Sequence, residues 1–366
     1  MTKVILLSIF FVSLFSAQLQ AETKFKTEMV SQVPGVPWGL AQLNNTTLIY
    51  TLRDGKVGLL NTGNGKTQAL KGLPKIAVYG QGGLLDVAVR PGYAPGGWIY
   101  FTYSKMYGGS PETTLARAIL KGTELTNWQD LLITKVGSNS GNHFGSRIAF
   151  DESGHVYFGV GDRGERDNSQ SLKNHAGTII RLNIDGSIPK DNPFINNQQA
   201  LPEIYSYGHR NPQGLMFDSK TKKLWEVEHG PRGGDEINLI AEGKNYGWPV
   251  ISYGKEYWAP LAVGEGTKKT GMEQPVKQYT PSIAPGSLII YRGQAFPKWQ
   301  GNIFVSALKL RHINRIELNE SGRAIAETRL LTSANERIRD LLETSEGYIY
   351  FSTDSGKIMR LVPDKS

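Results

Sequence analysis

The 366-residue chain has no cysteine. Disulfide frameworks and cysteine-linked lipid anchors are therefore excluded, and stability must come from core packing and bound metal. Segments with helical periodicity are almost absent, which points to an all-β chain. Beyond the first 21 residues no apolar run approaches the ~20 residues that span a bilayer, so no membrane insertion is expected. Neither G-x-S-x-G nor H-E-x-x-H occurs, and serine-hydrolase and zinc-protease chemistry lose their usual support. The formal charge is +8, yet the basic residues are dispersed, without Lys/Arg runs interleaved with aromatics. Nucleic acid is not an expected partner. An anionic small molecule remains a good match for the surplus charge.

What is present begins with Met-Thr-Lys and an apolar run from Val4 to Ala17, followed by small or polar residues up to Ala21. This reads as a secretory signal, residues 1–21, cleaved after Ala21. Export to a bacterial periplasm is expected, with residues 22–366 forming one catalytic domain.

That domain repeats. A Gly/Asn/Asp/Lys-rich turn, a β-type run ending in aromatics and a polar stretch recur six times, with runs starting at Leu48, Trp98, Val156, Leu224, Ile303 and Ile349. The starts lie 50, 58, 68, 79 and 46 residues apart. Propeller blades recur at roughly 40 to 50 residues and insertions lengthen the period, so the spacing predicts a six-bladed β-propeller. Further apolar or alternating runs, among them Leu85–Val89, Arg147–Phe150, Thr178–Leu182 and Lys357–Leu361, read as hairpin partners. Insertions at Gln198–Glu203 and Tyr253–Pro281 are expected to shape the mouth of the central channel.

Gly159-Val-Gly-Asp-Arg-Gly164 satisfies G-x-G-x-x-G, but no apolar helical stripe follows, so dinucleotide binding is rejected; Gly63-Asn-Gly-Lys-Thr reads as a hairpin turn. Stronger signals lie in two loops, Gly208–Gly214 and His229–Asp235. They hold His209, Arg210, Asn211, Gln213, His229, Arg232 and Asp235 among five glycines and two prolines. Each follows a β-type run, so fixed cations and amides stand at strand ends. Other polar clusters surround Gln81, His143, Lys309 and the pair Arg337 and Arg339. His143, in a Gly/Asn/Ser loop, is the best general-base candidate because an imidazole accepts a proton near neutrality. Arg337 and Arg339 alternate, which on a strand points both guanidinium forks to one side, a pairing suited to carboxylates.

Taken in order, G-Q-G-G-L-L-D (80–86), G-N-H-F-G (141–145), G-H-R-N-P-Q-G-L (208–215), H-G-P-R-G-G-D-E-I-N (229–238), N-Y-G-W-P (245–249), S-A-L-K (306–309) and R-I-R-D (337–340) make the chain resemble the soluble pyrroloquinoline-quinone (PQQ)-dependent aldose sugar dehydrogenases, relatives of soluble glucose dehydrogenase. The resemblance implies a six-bladed propeller that oxidises aldoses to lactones, with His143 as base and a catalytic role for Arg210. Gln81, Arg210, Asn211, Tyr257, Lys309, Arg337 and Arg339 would hold the quinone. Ca²⁺ would sit at the main-chain oxygens of Gly230 and Pro231, and a second Ca²⁺ at those of Glu236 and Tyr246. It also implies a monomer that passes electrons to an unidentified acceptor.

Two departures bear on base tuning and sugar preference: the histidine follows Asn142 rather than an aspartate, and Arg163 stands where glucose dehydrogenases are glutamine-rich. A non-catalytic sugar- or partner-binding propeller is one alternative reading. A Ca²⁺-dependent lactone or ester hydrolase is another, opposed by an apparent shortage of carboxylates around the presumed metal.

Overall fold

Each of the six aromatic runs is the second strand of a four-stranded antiparallel sheet in the computed structural model, which describes residues 23–365. The expected export segment lies outside the described residues. The first blade comprises strands Pro37–Asn44, Thr47–Leu52, Lys56–Asn61 and Thr67–Ala69; the second, Leu84–Val89, Trp98–Tyr107, Ser110–Lys121 and Glu124–Ile133. The third has Ile148–Phe150, His155–Val160, Thr178–Asn183 and Ile204–Tyr207; the fourth, Pro212–Asp218, Lys223–Glu228, Asp235–Ile240 and Lys277–Tyr279. The fifth is Pro285–Ile290, Ile303–Ala307, Ile313–Leu318 and Ala324–Leu330. The sixth takes Ile338–Glu343, Ile349–Thr353 and Lys357–Pro363 from the end of the chain and Phe25–Gln32 from its beginning. Phe25 pairs with Pro363 and Gln32 with Lys357, so the two ends of the sequence close the ring.

Burial on both faces explains the aromatic runs. In Trp98–Tyr107, Phe101 and Tyr103 pack toward the first blade, whereas Tyr100 packs toward the third. A strand between two neighbours is apolar throughout instead of alternating with solvent. The core is accordingly a ring of six apolar layers, one between each pair of adjacent blades. A fully buried ring such as Phe101 or Phe158 contributes about 2 to 3 kcal/mol. Gly63 and Lys66 lie in the turn between the third and fourth strands of the first blade, as expected. The runs Leu85–Val89 and Arg147–Phe150 differ from the reading as downstream partners, because each belongs to the innermost strand that opens the next blade.

Around the axis the blades crowd together. A Cβ on Gly286 would lie 2.5 Å from the carbonyl oxygen of Arg339 in the neighbouring blade, so only glycine fits there. Arg147, just ahead of the third blade's first strand, is the hub of this region. Its Nη1 meets Asp86 of the second blade at 2.7 Å and Asp340 of the sixth at 3.0 Å. Nε donates to the Gln213 carbonyl of the fourth blade, Nη2 donates to the Gly286 carbonyl of the fifth, and the guanidinium lies 4.4 Å over the Trp38 ring of the first. One buried side chain thus touches every other blade and plugs the channel. No helix among the described residues is long and apolar enough to cross a membrane.

Candidate active site

On one side of the Arg147 plug lies a cleft of about 280 Å³. The first strands of the blades, the loops that precede them and the loops that follow the second strands supply its walls. Arg53, Gln81, Asn211, Gln213, Arg337 and Arg339 give it polar and cationic groups, and Trp38, Leu85 and Phe144 form a buried apolar patch within it. A cavity of this size, with flat apolar walls and a few fixed polar groups, suits a planar aromatic ligand that carries negative charge.

Of the residues anticipated for the cofactor, Gln81, Asn211, Arg337 and Arg339 line this cleft. Arg337 and Arg339 do share a side, but their charge is partly met: Asp354 accepts from Arg337 Nε at 2.8 Å and from Arg339 Nε at 3.0 Å. Burial would raise the Asp354 carboxyl, yet the two guanidiniums outweigh it and hold the group below the usual carboxylate range. Lys309 follows the lining residue Leu308 and is exposed. Tyr257 does not join the cleft: it sits in the long insertion of the fourth blade and is 64% exposed. Arg53, Asp354 and His229 line the cleft without having been assigned there from sequence.

His143 stands at the edge of the cleft, between Asn142 and the lining residues Phe144 and Gly145. Its backbone is in the left-handed region, with φ 54°, a conformation that costs a residue with a side chain and persists only when its surroundings hold it. Its N–H donates to Gln81 Oε1 at 2.9 Å. A Cβ on Gly161 would come within 2.2 Å of the His143 carbonyl oxygen, so this loop and the strand end behind it are in direct contact. The imidazole Nδ1 lies 2.6 Å from Asp162 Oδ1. Burial pushes the Asp162 carboxyl up, but the hydrogen bond from His143 and the charge of Arg210 prevail and keep it ionised below its ordinary value. An acceptor-only carboxylate fixes the proton on Nδ1 and leaves Nε2 free to accept another. Trp248 Nε1 and the Gly164 N–H also hold Asp162 in place.

A second histidine, His229, lines the same cleft but is poorly suited to be the base. Its Nε2 donates to the Pro285 carbonyl at 2.7 Å, and burial, reinforced by Arg210 and Arg339, pushes its pKa down to about 3. A proton arriving there would have no carboxylate beside it, whereas one arriving at His143 would have Asp162.

Arg210 lies beside the cleft with its guanidinium 5.3 Å from the Trp248 ring, and its Nη1 donates to the His229 carbonyl. It also lines a much smaller cavity, of about 10 Å³, together with all four residues assigned to metal: Gly230, Pro231, Glu236 and Tyr246. Asp235, fully buried, builds the loop around that cavity by accepting from the N–H groups of Gly230, Ile283 and Ala284 and from Ser282. The four residues, assigned from sequence to two separate ions, therefore share one cavity, which differs from that expectation.

The shortage of carboxylates expected from sequence is overturned here. Glu228 pairs with Glu236 and Glu226 with Asn238 across two strands of the fourth blade, and alternate residues of a strand share a face. Glu226, Glu228 and Glu236 therefore converge, with one amide group, Asn238 Nδ2, donating to all three. His209 joins Glu226 and Glu228 with ligand atoms within 4.8 Å of one another. Burial and the neighbouring Glu228 charge push Glu226 and Glu236 well above the usual carboxylate range. Glu226 Oε1 and Asn238 Oδ1 are buried without a hydrogen-bond partner. Such a set of oxygens fits a hard cation such as Ca²⁺, with carboxylates in addition to the main-chain oxygens first anticipated.

Comparison with known proteins agrees with this architecture. Residues 35–360 match the family model described as Glucose / Sorbosone dehydrogenase. The aldose sugar dehydrogenase YliI of Escherichia coli is 36% identical over 96% of both chains. The apo-form crystal structure of the soluble E. coli aldose sugar dehydrogenase superposes with a TM-score of 0.89 at 35% identity, covering 93% of this chain and all of that one. The PQQ-bound aldose sugar dehydrogenase of Streptomyces coelicolor gives 0.77 at 25% identity over 94% of this chain and 99% of that one. With the six-bladed ring, the ordered loop motifs and these matches, the chain belongs to the glucose/sorbosone dehydrogenase family.

Proposed function

We propose that this protein oxidises aldose sugars at the anomeric carbon to lactones, with PQQ in the cation-lined cleft and Ca²⁺ at the neighbouring oxygen cluster. The observation that carries this reading is His143, with its Nδ1 proton fixed on Asp162 at 2.6 Å at the rim of a cleft lined by Arg53, Arg337 and Arg339.

His143 Nε2 would take the proton of the anomeric hydroxyl, and Asp162 would stabilise the imidazolium that results. When bound, PQQ supplies the acceptor for the hydride that leaves the same carbon. Arg337 and Arg339 share one carboxylate between two positive charges, so the pair keeps a surplus for the carboxylates of the ligand. Gln81 would hold the ligand while its Oε1 fixes the His143 backbone, and the Asn211 amide would add a second polar contact. Arg210, which lines the smaller cavity and donates to the carbonyl of the cleft residue His229, would place positive charge beside the oxygen that becomes negative. Trp38 and Phe144 exclude water from the flat part of the cleft. Gly230, Pro231, Glu236 and Tyr246, now with Glu226 and Glu228, would hold the cation. Export to the periplasm, a monomeric state and transfer of electrons to a separate acceptor belong to the same proposal and rest on the sequence reading.

Reconstitution tests it. Apoprotein mixed with PQQ and Ca²⁺ together should oxidise aldoses with a redox dye as acceptor, and omission of either should abolish this. His143→Asn should lower turnover by about 100-fold or more, the scale of general-base loss, while quinone binding survives. Sugar binding without dye reduction under full reconstitution would favour the non-catalytic propeller. Ester or lactone hydrolysis that needs Ca²⁺ but no quinone would overturn the dehydrogenase reading.

A further inference from the structure

Arg163 is wholly buried, and no carboxylate among the described residues lies within ion-pair distance of it, although the charges of Glu112 and Asp162 are near enough to oppose the effect of burial. Burial pushes its pKa down to about 10, so it stays charged at neutral pH. A buried cation without an ion pair is expensive unless each donor is used, and the donors are used in one direction. Nε donates to the Asn142 carbonyl at 2.9 Å, Nη2 to the Ser140 carbonyl at 2.5 Å and Nη1 to the Pro111 carbonyl at 2.7 Å. Its guanidinium lies 3.6 Å over the ring of Phe144. Two of the three carbonyls, and the ring, belong to the short segment that carries His143.

The contacts bracket the histidine. Asn142 precedes it and Phe144 follows it, so one planar group holds both of its chain neighbours. Arg163 itself has φ 53°, and its own carbonyl accepts from Ser138 Oγ at 2.9 Å. The residue before it, Asp162, holds the imidazole ring. Consecutive residues thus fix the ring and the backbone of one histidine whose φ of 54° is otherwise unfavourable. A flat fork of five N–H donors can satisfy three carbonyls at set angles and stack on a ring at once; an ammonium cannot.

We propose that Arg163 is a positioning residue for the oxidation step: it clamps residues 140–144 so that His143 Nε2 points at the substrate hydroxyl. The inference rests on the assignment of His143 as base. Arg163 does not itself line the quinone cleft and meets it only through the Phe144 ring, so its loss should move the chemical step far more than cofactor capture. Misplacement of a reacting group by about 1 Å can cost 100-fold.

The test uses enzyme saturated with PQQ and Ca²⁺. Arg163→Ala should lower kcat about 10- to 100-fold, with KM for the sugar within about threefold of wild type and quinone affinity, read by fluorescence quenching, unchanged. Added ethylguanidinium should restore part of kcat in Arg163→Ala and none in His143→Asn. Arg163→Lys should remain impaired, and it carries the same comparison should Arg163→Ala not fold. Unchanged kcat in a folded Arg163 variant, with His143→Asn inactive, would overturn the positioning role while the base assignment stands. Loss of quinone affinity in step with kcat, without rescue, would make Arg163 merely structural and overturn it as well. Wild-type turnover in His143→Asn would remove the base assignment and this inference with it.

Discussion

Replacing Arg147 by Met should weaken the whole ring, because the variant keeps an apolar stem but loses the guanidinium and strands two buried aspartates. Asp86 and Asp340 are 2% and 3% exposed, and Arg147 is the cation that touches both. Removing one partner from a buried ionic group costs about 3 to 5 kcal/mol; the lost bonds to the Gln213 and Gly286 carbonyls are of secondary size. At the unfolding entropy typical per residue, a chain of this length shifts by about 1.5 °C per kcal/mol, so the melting temperature should fall by about 4 to 8 °C. The deficit should depend on pH. Burial already pushes the Asp86 carboxyl up to about 6, with Arg147 opposing the rise. A carboxyl raised on folding contributes its stability at low pH and loses it as pH climbs through the folded value. Without Arg147 that value climbs further. At pH 5 both proteins hold Asp86 largely protonated and the deficit is smallest; at pH 8 the wild type has an ion pair where the variant must bury an unpaired charge or take up a proton, and the deficit is largest. Differential scanning calorimetry of the two apoproteins from pH 5 to 8 measures this. A loss below about 1 kcal/mol, or one that does not vary with pH, would refute the view that Arg147 holds the axis together by charge.

Three further outcomes follow from the site. Asp354→Asn should free Arg337 and Arg339, tightening quinone binding several-fold at low salt while lowering the apoprotein's melting temperature; weaker binding would show that Asp354 positions the guanidiniums rather than competing for them. Ca²⁺ at about 100 times its dissociation constant should stabilise the protein by about 2.7 kcal/mol, and Glu226→Gln should remove most of that gain in a thermal titration; an unchanged gain would move the ion away from the carboxylate cluster. Tyr257→Ala should leave quinone affinity within about twofold, since that ring lies outside the cleft; a large loss would mean that the insertion closes over the ligand.

The blades were legible because their second strands are buried on both faces, which writes runs such as Trp98–Tyr107 into the sequence. The innermost strands were harder to read: their residues face a crowded axis of carbonyls and ion pairs, and nothing in the order of residues announces that Arg147 reaches Asp86 and Asp340. The acidic cluster was invisible for a related reason. Glu226 and Glu228 alternate like any solvated strand pair, and only the register that sets them against Asn238 and Glu236 makes three carboxylates converge. Asp162 was within reach, inside the Gly159–Gly164 motif. Its glycines serve close approach to the His143 loop instead. Tyr257 was placed by resemblance alone, in an insertion whose path no periodicity constrains.

The sixth blade gives the molecule an order in time. Its outer strand, Phe25–Gln32, is made before the first blade, and its partner, Lys357–Pro363, after the fifth. Arg337, Arg339 and Asp354 belong to the same blade and its loops. A chain emerging from the ribosome can form hairpins blade by blade, but it cannot complete the cationic wall of the cleft until the sixth blade has been made. Cofactor loading is thereby reserved for the finished ring, and a truncated product, lacking both the latch and the two arginines, would have little means to sequester quinone.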